Sequence, residues 1–164
     1  MCLLLIMAMP AAVMAQKEVT SPAGTAIFIV PDEATLTRRG TTLLIGTGIE
    51  NCRLTFDETF EKEDMTLEQY AARTKQQALK AAGRLPDTKI EQLNDDYDLP
   101  IDGMDCYKYE ARVIDSRGNG FYGLAYFLKN GHTFYSIVAV GQRGRTNEAL
   151  ADLTSSIARS VERK

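Results

Sequence analysis

The sequence predicts an α+β domain, a mostly antiparallel sheet of six to seven strands flanked by two helices. Three observations carry that expectation. Apolar or alternating runs recur between turn residues at 26–30, 41–46, 51–60, 88–93, 106–114, 121–128 and 133–140, the period of extended chain. Two other segments, opening near Thr66 and Thr146, place apolar side chains at helical spacing instead. Several strand runs are joined by hairpin-length connections, which favours antiparallel pairing, and both helices must then lie across the sheet to hide their stripes.

The first fifteen residues differ in kind from the rest. They contain no charge, and Cys2-Leu3-Leu4-Leu5-Ile6-Met7-Ala8-Met9 is an apolar run ended by Pro10. Val13-Met14-Ala15 then puts small or modest side chains where a signal peptidase reads, with Gln16 following. The expectation is a cleavable secretion signal over 1–15, a single domain over 16–164, and a periplasmic or secreted protein after cleavage near Ala15. Such a segment is too short to span a bilayer as a helix, so no permanent membrane span is expected. Cys2 precedes the apolar run rather than following it, the wrong order for lipid attachment.

Residues 16–24 are polar and read as a loose lead-in. Ala26-Ile27-Phe28-Ile29-Val30, halted by Pro31-Asp32, is the first strand, and 41–46 follows an Arg38-Arg39-Gly40 turn. In 51–60, Cys52, Leu54 and Phe56 alternate with Arg53, Thr55 and Asp57. Thr66-Leu67-Glu68-Gln69 is a capping box, in which hydroxyl and amide side chains serve the unpaired N–H groups of a helix start. Leu67, Tyr70, Ala71, Thr74, Ala78, Ala81 and Ala82 form the stripe of that helix, and Gly83 and Pro86 end it.

A strand at 88–93 leads into an acidic stretch, expected as a loop, through Asp105. In 106–114, Tyr107, Tyr109, Ala111 and Val113 alternate with Lys108, Glu110 and Arg112. Lys129-Asn130-Gly131-His132 joins the last two strands, with Asn-Gly as the hairpin signal. Both of these strands are apolar at odd and even positions, which implies burial on both faces. Thr146 caps the last helix, with Glu148 in its first turn and Leu150, Leu153, Ile157 and Val161 on its stripe.

Three stretches carry a likeness to a known family. Ile27-Phe28-Ile29-Val30-Pro31, Met65-Thr66-Leu67-Glu68-Gln69-Tyr70-Ala71, and Phe134-Tyr135-Ser136-Ile137-Val138-Ala139 followed by a turn and the final helix resemble the PsbP-like (Mog-type) α/β/α sandwich superfamily, in its exported bacterial branch. The resemblance covers most of the chain after residue 15. It implies a sandwich fold and a binding or accessory role, and it brings no shared catalytic residues.

The chemistry in the sequence is sparse. A net charge of −3, from 19 basic and 22 acidic residues, argues against nucleic acid, whose phosphates demand a basic footprint. His132 is the single histidine and reads as a solvated turn residue. After cleavage Cys52 and Cys106 would be left as an even pair, permitting a disulfide in an oxidising compartment; the alternative is two independently buried thiols. Asp95, Asp96, Asp98 and Asp102, with Asp105, are weak metal candidates, since hard cations take several oxygens. Their spacing departs from a calcium loop, with Pro100 standing where a ligand belongs and Gly103 misplaced. Arg143 and Arg145, beside the start of the last helix, are a candidate anion site. Gly46-Thr47-Gly48 lacks the third glycine of a dinucleotide fingerprint, with Asn51 in its place.

No catalytic residue and no cofactor are expected. The preferred function is a non-enzymatic exported accessory protein that binds another envelope or secreted protein. The alternatives are a small-ligand or ion-binding module of the cell envelope, with its pocket between helix and sheet, and, more remotely, a hydrolase. An apolar pocket with perturbed titratable groups would favour the ligand or enzyme alternatives, and a broad exposed apolar patch would favour the partner.

Overall fold

Alternating side chains need something on each side of the sheet to bury them, and this chain supplies two different covers. The computed structural model describes residues 15–82, 89–115, 117–142 and 146–164. The expected signal, 1–15, falls outside these residues except for Ala15. The chain runs β1 (Gln16–Thr20), β2 (Ala26–Pro31), β3 (Thr35–Arg39), β4 (Thr42–Gly46), β5 (Cys52–Phe60), α1 (Leu67–Ala82), β6 (Lys89–Ile101), β7 (Met104–Ile114), β8 (Gly120–Asn130), β9 (Thr133–Gln142), α2 (Thr146–Arg159) and β10 (Glu162–Arg163).

Seven strands form one antiparallel sheet in the order β3-β4-β5-β9-β8-β7-β6, and β1-β2-β10 form a small second sheet. On one face of the large sheet, α2 and the small sheet bury the main core. Phe28 of β2 stacks on Phe56 of β5 with centroids 4.3 Å apart, and Leu150 and Ile157 of α2 are buried among Leu124, Ile137 and Ala139. On the other face, α1 buries Leu67, Tyr70 and Ala71 against Ala125, Phe127 and Phe134. The Tyr70 ring stacks on Phe134 at 4.4 Å. The two-faced burial expected of β8 and β9 is therefore present: Tyr126 and Leu128 belong to the first core, and Ala125 and Phe127 to the second.

The capping box forms as expected, with the Gln69 N–H donating to Thr66 Oγ1 at 3.2 Å and the Thr66 N–H to Gln69 Oε1 at 2.9 Å. Three expectations are corrected. The lead-in is strand β1, paired with β2 from Gln16↔Pro31 to Thr20↔Ile27. Arg38 and Arg39, expected in a turn with Gly40, belong to the edge strand β3 over 35–39, exposed along its whole length. The acidic loop is the long edge strand β6, paired with β7 as far as Ile101↔Met104. Its true turn is Asp102-Gly103, with φ of 48° and 70°, the left-handed pair that a two-residue hairpin requires. All three segments lie in outer strands or carry little buried side chain, so they lack the apolar periodicity that reveals a strand.

One buried acid joins the two sheets. Glu58 of β5 is 3 % exposed. Its carboxylate accepts the Ala23 N–H at 2.6 Å and the Thr25 hydroxyl, and Thr25 Oγ1 lies 2.7 Å from the Tyr135 hydroxyl. Polar groups buried in this way need each other, since an unpartnered one costs about 1–3 kcal/mol.

Candidate functional site: a cleft between α1 and the sheet

Strand register sets out the α1 face in rows. Tyr109 of β7, Ala125 of β8 and Val138 of β9 form one row, and Ala111, Gly123 and Val140 the next. Ile90 of β6, Val113 and Phe121 form the row beyond. In the first two rows β8 supplies only Ala125 and Gly123, between the larger Tyr109 of β7 and Val138 and Val140 of β9. A glycine within a strand contributes no wall, and a depression results. A cavity of about 260 Å³ opens here, walled by Tyr109, Val113, Phe121, Val138 and Val140 and by Thr74 and Lys75 of α1. Its surface is almost wholly apolar, and among the described residues its lining carries no carboxylate, imidazole or thiol. A Cβ on Gly123 would meet nothing closer than the Ala139 carbonyl at 4.0 Å. Ile90, Phe121 and Val140 are 43 %, 42 % and 41 % exposed, so the apolar surface runs out of the cavity to solvent.

Lys75 stands at the edge of the cleft and is held there. It pairs with Asp95 of β6, and its ammonium lies 5.4 Å and 5.1 Å from the ring centres of Tyr107 and Tyr109. The Tyr107 hydroxyl donates to Asp95 Oδ1 at 2.9 Å. Burial, then the bond to Asp95, pushes the Tyr107 phenol up to about 12, and burial also raises Tyr109. Both hydroxyls therefore stay protonated at neutral pH.

A second cavity of about 460 Å³ adjoins the first across Thr74 and Val138, which line both. Its character is opposite. Asp57 and Glu61 face Arg73 and Gln77 of α1 across Thr59 and Ser136. Arg73 is paired with Glu61, whose carboxyl is held below its usual range by that hydrogen bond. Asp57 accepts the Thr42 hydroxyl, and among the described residues no cation lies within ion-pair distance of it.

The residues singled out from sequence are not brought together here. Asp95 meets Lys75, Asp98 meets Arg159 at 2.7 Å, Asp102 meets Arg163 at 3.0 Å, and Asp96 accepts the N–H of its neighbour Tyr97. Among the described residues no three His, Cys, Asp or Glu side chains are grouped to hold a metal ion. Of the two readings left open for the cysteines, a disulfide and two separate thiols, the structure has the second: Cys52 and Cys106 are both free. They lie on β5 and β7, with β9 and β8 between them. Three strand spacings alone hold them at least roughly 14 Å apart, whereas a disulfide needs Cα atoms within about 7 Å. His132 is exposed at the opposite end of β8 and β9, its ring 6.0 Å from that of Phe60. Arg143 and Arg145, the candidate anion site, lie outside the described residues.

Sequence reasoning placed a pocket between helix and sheet only as an alternative and assigned no residue to it. The signal available was Gly123, a lone glycine inside an otherwise bulky strand run, which marks a close approach or a missing side chain.

An antiparallel sheet covered by one helix on each face, with a small sheet beside the second helix, defines the class as an α+β sandwich. Solved structures place that class more narrowly. The solution structure of cyanobacterial PsbP (CyanoP) from Synechocystis superposes with a TM-score of 0.71 at 14 % identity, over 94 % of this chain and 96 % of that one. The Ran-binding protein Mog1p of Saccharomyces cerevisiae gives 0.61 at 13 % identity, over 91 % and 95 %. A Bacteroides thetaiotaomicron protein gives 0.54 at 13 %, over 90 % of this chain and 48 % of that one. The chain thus has the PsbP- and Mog1-like fold, as its sequence led one to expect. No protein-family model matches it, and no curated protein matches it in sequence.

Proposed function

We propose that this chain is a non-enzymatic binding protein that takes an apolar side chain of a partner polypeptide into the cleft between α1 and β7–β9. The observation that carries this is the exposed apolar surface of Ile90, Phe121 and Val140 continuing into the cavity floored by Gly123. Exposed apolar surface continuous with a preformed depression is what a partner's anchoring residue fills. Mog1p, which has the same fold at low identity, is named for binding another protein, Ran. Export belongs to the same proposal and is supported by the uncharged apolar run and small-residue site at 1–15. Among the described residues no helix is long and apolar enough to cross a membrane.

A small apolar ligand is the second reading, favoured by the enclosed part of the cleft, although about 260 Å³ falls short of the ~300–1,000 Å³ of most small-molecule sites.

The test uses the full chain carrying a C-terminal tag, expressed in its native cell and cross-linked. Envelope and secreted fractions are compared between wild type and Gly123→Leu, which plugs the cavity from below. One partner near equal stoichiometry, lost in the variant while the fold is kept, supports the proposal. A partner retained by Gly123→Leu, or none captured by wild type, refutes it.

A further inference from the structure

Resting on that reading, we infer that the partner's recognition segment carries a basic residue close to its apolar anchor, and that the polar cavity beside α1 receives the cation against Asp57. The two cavities are neighbours that one bound segment can reach together, because Thr74 and Val138 line both. One part is apolar. The other holds two carboxylates and one guanidinium, and the guanidinium is already taken by Glu61. Among the described residues the uncompensated charge is that of Asp57, whose partner there is the neutral Thr42 hydroxyl. A partly enclosed carboxylate without a counter-ion favours a cationic occupant and repels an anionic one. Thr59, Ser136 and Gln77 add neutral hydrogen-bonding groups around it, suited to the N–H groups of a lysine or arginine.

Distance sets the spacing in the partner. From Ser136 to Val140 along β9 is four residues, roughly 13 Å of extended chain. A partner strand lying beside α1 therefore reaches both cavities when its basic and apolar residues stand about three to four positions apart.

The experiment is a selection of random phage-displayed hexapeptides on the immobilised full chain. Enrichment of peptides with a large apolar residue and a Lys or Arg three to four positions away is the expected result. A selected peptide should then bind Asp57→Asn about ten-fold more weakly, and Gly123→Leu not at all. Asn preserves an acceptor for Thr42. If Asp57→Asn unfolds by circular dichroism, Gln77→Lys places a competing cation at the same cavity and should weaken binding similarly. Enrichment of apolar peptides with no charge preference, or with acidic neighbours, overturns the inference and leaves the cleft standing. Peptides that bind Asp57→Asn and Gln77→Lys as tightly as wild type also overturn it. No enrichment over a blank surface overturns both.

Discussion

The carboxylate of Glu58 accepts the backbone N–H of Ala23 at 2.6 Å, across 35 positions of chain. A buried acid on the large sheet thus holds the turn between the first two strands of the small one. Glu58→Ala leaves that N–H and the Thr25 hydroxyl without their acceptor, at a cost of about 2–4 kcal/mol. Thermal unfolding should fall by roughly 5–12 °C. Glu58→Gln keeps one acceptor oxygen and should lose less than half as much. Equal melting of wild type and Glu58→Ala would show that the contact does not hold the two sheets together.

Two glycines of the central strands should respond in opposite directions. Gly123 has space above it, and its φ is not left-handed, so Gly123→Val should raise stability by about 0.5–1 kcal/mol through reduced freedom of the unfolded chain and better strand packing. Gly141 has none: a Cβ there would meet Cys52 Sγ and Leu150 Cδ2, each at 2.9 Å. Gly141→Ala should destabilise by about 1–3 kcal/mol, the usual cost of overpacking. Urea unfolding midpoints of the two variants, displaced to either side of wild type, check both expectations.

The thiols should behave as two separate groups. Cys106 is fully buried, and burial pushes its pKa up to about 12; Cys52 is partly exposed. At pH 8 in the folded protein, an alkylating reagent should modify Cys52 faster than Cys106 by at least an order of magnitude. Peptide mapping after denaturation without reductant should find both alkylated. A cross-linked peptide pair containing Cys52 and Cys106 would refute the strand order between them.

Alkaline pH should loosen the edge of the cleft. The Tyr107 phenol ionises near its ordinary value of about 10 in the unfolded chain and near 12 in the fold. Above pH 10 the unfolded state binds fewer protons than the folded one, so stability falls as pH rises. The contribution is complete below pH 10 and lost by about pH 12. Tyr107→Phe should flatten the stability profile between those limits, while Tyr97, Tyr109 and Tyr122, whose phenols burial also raises, keep part of the slope. An unchanged profile would exclude Tyr107 as a source of the effect.

The elements legible beforehand were those whose burial is written in their own spacing. Leu67, Tyr70 and Ala71 announced α1, and Leu150 and Ile157 announced α2; all five are buried. Phe127 and Tyr126 point to opposite cores, as a strand apolar on both sides requires. Edge strands were not legible. The acids that looked like a solvated loop lie in β6 and the turn after it, and Asp95, Asp98 and Asp102 reach Lys75, Arg159 and Arg163 of α1, α2 and β10, partners distant in the chain. The Asn-Gly hairpin signal was right in kind and displaced by one residue: Asn130 pairs with Thr133, and Gly131-His132 make the turn.

The sequence alone determined the fold class, the two helices and the face each one buries, because hydrophobic periodicity and capping are local properties. Strand order was decided by the tertiary structure: β9 runs between β5 and β8, and that placement separates the two cysteines and sets Val138 and Val140 beside Ala125 and Gly123. The cleft exists only through that juxtaposition. A cavity is the space left where side chains from distant strands fail to meet, and no single segment carries the volume of its neighbours.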